Sequence, residues 1–217
     1  MRSILKTVLV AATALWAGQA AATIIGGGVT GGSSFDAGGQ FNLIDPIPNG
    51  FTVGDNNQQS DDLFGFNEDQ NILLSDALDL DVGAPQLAAG TEVASHYIFY
   101  DPVLAGIEGF VEFDAPVLGV LTETDTLFAS DMLANTDVTY LNPTLRGLEA
   151  STDSVGIDPG NANRILVDFF ASSPGDYIRV LTERSPIAAM EVAEPGTLGL
   201  LGFSLGLLFL YGRRRRA

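Results

Sequence analysis

From residue 90 to residue 182 the chain breaks into short apolar runs separated by turn-forming residues. Residues 93–100 (Val-Ala-Ser-His-Tyr-Ile-Phe-Tyr) are rich in β-branched and aromatic side chains, and residues 107–113 (Ile-Glu-Gly-Phe-Val-Glu-Phe) partly alternate apolar with polar. Both patterns suit a pleated strand, whose side chains point to opposite faces in turn. Asp114-Ala115-Pro116 turns the chain into residues 117–121, and further apolar runs follow at 138–141, 154–157, 164–170 and 177–181. Asn142-Pro143, Asp158-Pro159-Gly160-Asn161 and Ser173-Pro174-Gly175-Asp176 punctuate them. Strands at this spacing predict an all-β fold, either a sandwich or a jelly-roll-like domain. One short helix is expected at residues 125–133, with Asp125 or Thr126 as its cap. Residues 23–60, rich in Gly and Asn, read as a loop-like entry to the domain.

The two ends follow other patterns. Arg2 and Lys6 precede an apolar run at residues 7–17, and Ala20-Ala21-Ala22 supplies a small-x-small site with Ala20 at −3 and Ala22 at −1. That order is the three-part layout of a secretory signal peptide over residues 1–22. Signal peptidase and the Sec export machinery are the partners it implies. At the other end, residues 195–212 carry no charge and are rich in Leu and Gly, and Arg213, Arg214, Arg215 and Arg216 follow. Eighteen residues of helix extend about 27 Å, close to the hydrocarbon thickness of a bilayer. One transmembrane helix at about 196–212 is therefore expected. The arginine run predicts a cytoplasmic C-terminus for the precursor.

Glu194-Pro195-Gly196-Thr197-Leu198, the Leu/Gly helix and the four terminal arginines together resemble the PEP-CTERM sorting domain. Ala193 stands where that motif has its first proline. The resemblance covers about 25 residues. It implies processing around Ala193, Glu194 and Pro195 by an exosortase. It also implies a Gram-negative bacterium that makes exopolysaccharide, and a transient membrane helix. The stretches 99–102 (Phe-Tyr-Asp-Pro), 146–149 (Arg-Gly-Leu-Glu) and 172–177 (Ser-Ser-Pro-Gly-Asp-Tyr) resemble uncharacterised all-β domains that accompany such tails. The predicted organisation is a signal peptide at 1–22, a β-rich exported domain at 23–182, a linker at 183–194 and a sorting tail at 195–217.

Composition narrows the chemistry. All 27 acidic residues lie between residues 23 and 194, against four arginines there. So acidic a domain repels nucleic acid, whose binding rests on phosphate neutralisation, and favours cations. Cysteine is absent, which excludes disulfides, thiolate catalysis and cysteine-ligated metals. The single histidine, His96, lies within a strand pattern, and no Gly-x-Ser-x-Gly elbow accompanies it. Gly26-x-Gly28-x-x-Gly31 matches a dinucleotide fingerprint in form only, since no helical period follows. Phe64, Phe66, Tyr97, Tyr100 and Tyr140 could stack on sugars, but strand aromatics usually fill cores. The small-ligand expectation is a structural calcium held by oxygen ligands from Asp55, Asp61, Asp62, Asp76, Asp79 or Asp81. No other cofactor is expected. The functional expectation is a non-enzymatic cell-surface or extracellular-matrix protein whose partners are exosortase and exopolysaccharide. A secreted hydrolase acting on polysaccharide is the alternative.

Overall fold

A strand fully covered on both sides must be apolar on both sides, and one covered on a single side must alternate. Both kinds occur in the computed structural model, which describes residues 22–149, 151–172 and 174–184. The expected signal peptide before Ala22, the expected linker beyond Arg184 and the whole expected sorting tail lie outside the described residues. Among the described residues no helix is long and apolar enough to cross a membrane.

The chain is mostly β-sheet, with two short α-helices among the described residues. In chain order the elements are β1 (Ile24–Gly31), α1 (Gly32–Asp36), β2 (Phe41–Leu43), β3 (Thr52–Val53), β4 (Leu63–Asn67), β5 (Ile72–Leu73), β6 (Leu78–Asp79), β7 (Val82–Gly83) and β8 (Gln86–Leu87). There follow β9 (Glu92–Tyr100), β10 (Ala105–Phe113), β11 (Val117–Leu121), α2 (Thr124–Ala129), β12 (Thr139–Tyr140), β13 (Ser154–Ile157), β14 (Arg164–Ala171) and β15 (Asp176–Thr182). Single 3-10 turns stand at Asp131–Leu133 and Pro143–Leu145. Four strands form one sheet in the order β1-β10-β14-β13. A second sheet runs β2-β4-β9-β15-β11-β7, with β5 also paired to β9. Pairing is antiparallel except for β2 with β4 in the second sheet and the small β12–β3 pair.

The first sheet alternates. In β14, Ile165, Val167, Phe169 and Ala171 are buried while Leu166, Asp168 and Phe170 face solvent. Its buried face joins Ile98, Tyr100, Ile178 and Val180 of the second sheet in one core cluster. The second sheet's other face carries Phe66, Tyr97, Phe99, Tyr177 and Leu181. That face is closed by Val53, Leu74, Leu80, Leu87, Leu127 and Leu133 from the loops, short strands and α2. Hence every residue of β15 is buried, and all of β9 after Glu92.

Two expectations need correction. Residues 23–60 were expected to be loop-like, but Ile24–Gly31 is an eight-residue strand paired along β10. Three of its four glycines lie against a neighbour, Gly26 being open: a Cβ on Gly27 would lie 2.6 Å from the Phe41 ring and 2.8 Å from the Phe110 carbonyl oxygen. The helix expected at 125–133 is instead α2 followed by a 3-10 turn, and Glu123 is its N-cap, with no side-chain capping bond of its own. The side-chain cap comes from Asp81, whose Oδ2 accepts from the Thr122 and Glu123 N–H groups at 2.6 and 3.0 Å and from the Thr126 hydroxyl at 2.6 Å.

Candidate metal centre

Polar side chains inside a sheet closed on both faces must find partners within the protein. His96 projects towards the first sheet and packs on Phe113, ring centroids 4.8 Å apart. Its Nδ1 lies 2.8 Å from Asn67 Oδ1 and its Nε2 lies 3.0 Å from the Thr182 hydroxyl. The amide oxygen can only accept, so Nδ1 carries the proton and Nε2 accepts from Thr182. Burial pushes the imidazole down to about 3, so it is neutral at physiological pH. Both nitrogens are occupied, and the ring is a structural member of the core.

On the opposite face, Arg179 is fully buried and forks onto Glu68, with Nε to Oε2 at 2.6 Å and Nη2 to Oε1 at 2.9 Å. Burial opposes its charge, but the Glu68 carboxylate more than offsets this and holds the guanidinium protonated. Ser95 and Tyr140 donate to Glu68 at 2.6 and 2.5 Å. Nη1 of Arg179 donates to the Ser130 hydroxyl at 2.6 Å and the Leu127 carbonyl at 3.1 Å. Asp131, 3.4 Å from Arg179, pairs on its other side with both Nη atoms of Arg146 at 2.9 Å. This network fastens α2 and the turns after it to the second sheet. Its donors and acceptors are spent on one another.

A third group is not self-sufficient. Glu149, Asp153 and Asp176 each direct a carboxylate oxygen to within 4.8 Å of the other two. Among the described residues this is the one acidic grouping close enough to hold a metal ion. The three arrive from different places: Glu149 from the connection after the second 3-10 turn, Asp153 from just before β13, and Asp176 as the first residue of β15. Asp153 is oriented by main-chain donors, the Glu149 N–H at 2.9 Å and the Phe170 N–H at 2.7 Å. Gly175, at φ +94°, makes the turn that delivers Asp176; a Cβ there would meet the Tyr100 carbonyl oxygen at 2.8 Å. Asp176 pairs with Tyr100 across the ladder and is 1% exposed, and its Oδ2 has no hydrogen-bond partner. Glu149, Thr152, Phe170, Ser172, Pro174, Gly175 and Asp176 line a cleft of about 160 Å³.

Charge repulsion shows in the titration of these acids. Burial, then the neighbouring Asp153 and Glu149 charges, push Asp176 up to about 8. Burial and a hydrogen bond to Asp153 also raise Glu149. With Asp176 above its unfolded value, the native state holds a proton that the unfolded chain releases. This buried acid therefore costs stability as pH rises from the ordinary carboxylate range towards 8.

The six aspartates singled out from sequence do not converge. Asp61 accepts from Ser34, Asp62 from Gln40 and Asn42, Asp76 from Ser75, and Asp79 from Gln86. Asp81 is the cap of α2. Asp55 adopts a left-handed backbone in the loop whose Gln58 N–H donates to buried Asp101 at 2.8 Å. Ala20, Ala193, Glu194 and Pro195, where processing is expected, and the arginines from 213 to 216 lie outside the described residues. The triad escapes a scan for acidic runs because its members are spread over residues 149–176. The available signal was an aspartate, directly after Pro174-Gly175, opening a strand that is otherwise continuously buried. Comparisons with protein-family models, characterised proteins and solved structures found no match.

Proposed function

We propose that this chain is an exported, non-enzymatic protein of the cell surface or extracellular matrix, with its body a β-sandwich and its C-terminal tail an exosortase address. The observation that supports export best is the junction at Ala22 and Thr23. The Thr23 nitrogen lies 2.9 Å from Asp114 Oδ1, and the Asp114 N–H returns a bond to the Thr23 carbonyl at 3.1 Å. Cleavage after Ala22 would convert the Thr23 amide into an ammonium already beside a carboxylate, a charge-assisted pair. It would also vacate the niche where Ala22 packs with Ala94 and Ala115, a loss of about 0.8 kcal/mol for one methyl-sized group. The sandwich reading rests on the core shared by the two sheets. The acidic surface suits a molecule that stays dispersed among polysaccharide.

A polysaccharide hydrolase would need an acid and a base open to a sugar. Asp176 has the raised value of a general acid but exposes only 1% of its surface at the cleft, and this weighs against that reading. The test is N-terminal sequencing and fractionation of the protein from its host. Thr23 as the first residue, with processing or location changed by deleting Arg213, Arg214, Arg215 and Arg216, is the expected result. A retained leader together with unchanged fractionation would overturn the reading.

A further inference from the structure

An acidic cluster on an acidic protein needs no ligand to exist, because isolated surface carboxylates are well solvated. Asp176 is different. It is buried, it lines the cleft beside Glu149, and one of its oxygens is left without a donor. Buried carboxylate oxygens are almost always hydrogen-bonded, paired with a cation or bound to a metal. Among the described residues the arginines are engaged elsewhere: Arg146 pairs with Asp131, Arg164 with Glu112 and Asp158, Arg179 with Glu68, and Arg184 with Glu92. Asp153, meanwhile, is pinned by main-chain N–H groups and cannot swing away from its two neighbours without losing them.

We propose that Glu149, Asp153 and Asp176 form a structural calcium site that ties the two sheets to the connection between β12 and β13. Three hard, anionic oxygens suit Ca²⁺ or Mg²⁺, and the absence of nitrogen and sulfur ligands from the triad disfavours zinc and copper. The three carboxylate oxygens lie within 4.8 Å of one another, close enough to share a single ion. Calcium also tolerates irregular coordination, and the Ser172 hydroxyl at the cleft wall and solvent can supply further oxygens. The placement gives the ion a mechanical role. Asp153 leads into the first sheet, Asp176 opens a strand of the second, and Glu149 belongs to the connection between them. The site is independent of how the tail is processed.

The test is calcium titration of the full-length chain after EDTA treatment, at pH 8, by calorimetry and thermal unfolding. Saturable one-site binding is expected, with a Kd of roughly 10⁻⁴–10⁻³ M, the range of extracellular calcium modules. The melting temperature should rise by several degrees. Asp153→Asn and Asp176→Asn should each weaken binding at least tenfold. Asp176→Asn should also raise the ion-free melting temperature at pH 8, an outcome that a misfolded variant cannot give. Glu149→Gln, on the exposed connection, gives a second readout with the fold intact. Asp76→Asn and Asp79→Asn should leave binding unchanged. No saturable binding by the parent chain up to about 10 mM calcium would overturn the site, a concentration well above that affinity range. Equal weakening by the Asp76 and Asp79 variants would also overturn it, because diffuse attraction to acidic surface would then explain the binding.

Discussion

The two sheets use the same strand geometry and solve different problems. The first has one wet face, so β10 and β14 alternate and their polar residues need no special partners. The second is closed on both faces, so β9 and β15 are buried almost throughout, and each polar residue in them has been given a role. His96 joins Asn67 and Thr182, Arg179 joins Glu68, and Asp176 joins the acidic triad. The second sheet therefore concentrates the molecule's electrostatic cost, and its charges carry more structural information than the more numerous ones on the surface. An ion pair in water is worth little; a buried partner removed leaves an uncompensated charge.

The sharpest way to break this comparison is to cut one ion pair in each sheet. Glu68→Ala should destabilise the protein by about 3–5 kcal/mol, because it strands the Arg179 guanidinium in the core. Glu112→Ala, which removes the half-exposed partner of Arg164 in the first sheet, should cost about 0–1 kcal/mol. Urea unfolding measures both, and comparable losses would show that the second sheet is wetter than its burial implies. Next come neighbouring side chains. Phe169→Ala should cost about 3–5 kcal/mol and Phe170→Ala within about 0.5, since one faces the core and the other solvent. In β15 the same experiment should find no alternation: Val180→Ala and Leu181→Ala should both be costly, Leu181 by about 2–5 kcal/mol.

The same contrast decides how much could be read beforehand. The strand at 107–113 was legible from its partial alternation, and those at 154–157 and 164–170 as short apolar runs bounded by turn residues. Residues 93–100 and 177–181 were legible as strands from their β-branched and aromatic content, but their second covered face was not. That cover is made of loops and two-residue strands, which leave almost no periodicity. The strand Ile24–Gly31 was missed because glycine usually signals a turn, and here three of the four signal close packing. The candidate site was missed because it is long-range. Asp153 and Asp176 are 23 positions apart, one leading into the first sheet and the other in the second, and the packing of those sheets brings them together; the six aspartates close in sequence form no such group. Arg179 was visible only as one of four arginines, and its fork onto Glu68, 111 positions away, exists only in three dimensions.

The gentlest test uses pH to probe the face of the second sheet that packs on the first. His96 stands at about 3 in the native state, below the ordinary value of 6.5 that the unfolded chain restores. Between those values the unfolded chain binds a proton that the native protein refuses. The contribution of neutral His96 is therefore complete above pH 6.5 and declines as the pH falls towards 3. At a maximum of about 1.4 kcal/mol per pH unit, this group alone should lower stability by about 2 kcal/mol between pH 7 and pH 5. Asp176 runs the other way, since its native value is raised, so the whole-protein curve mixes opposite slopes. The difference between the parent and His96→Gln cancels everything but the imidazole. At pH 7.5 the variant should be the less stable, having lost the Phe113 contact; by pH 4.5 the gap in urea midpoint should narrow or change sign. A gap that stays constant across this range would mean that His96 accepts its proton without leaving the fold. The space between the sheets would then have to admit water, and the distinction between a dry and a wet face would fail where it was drawn most sharply.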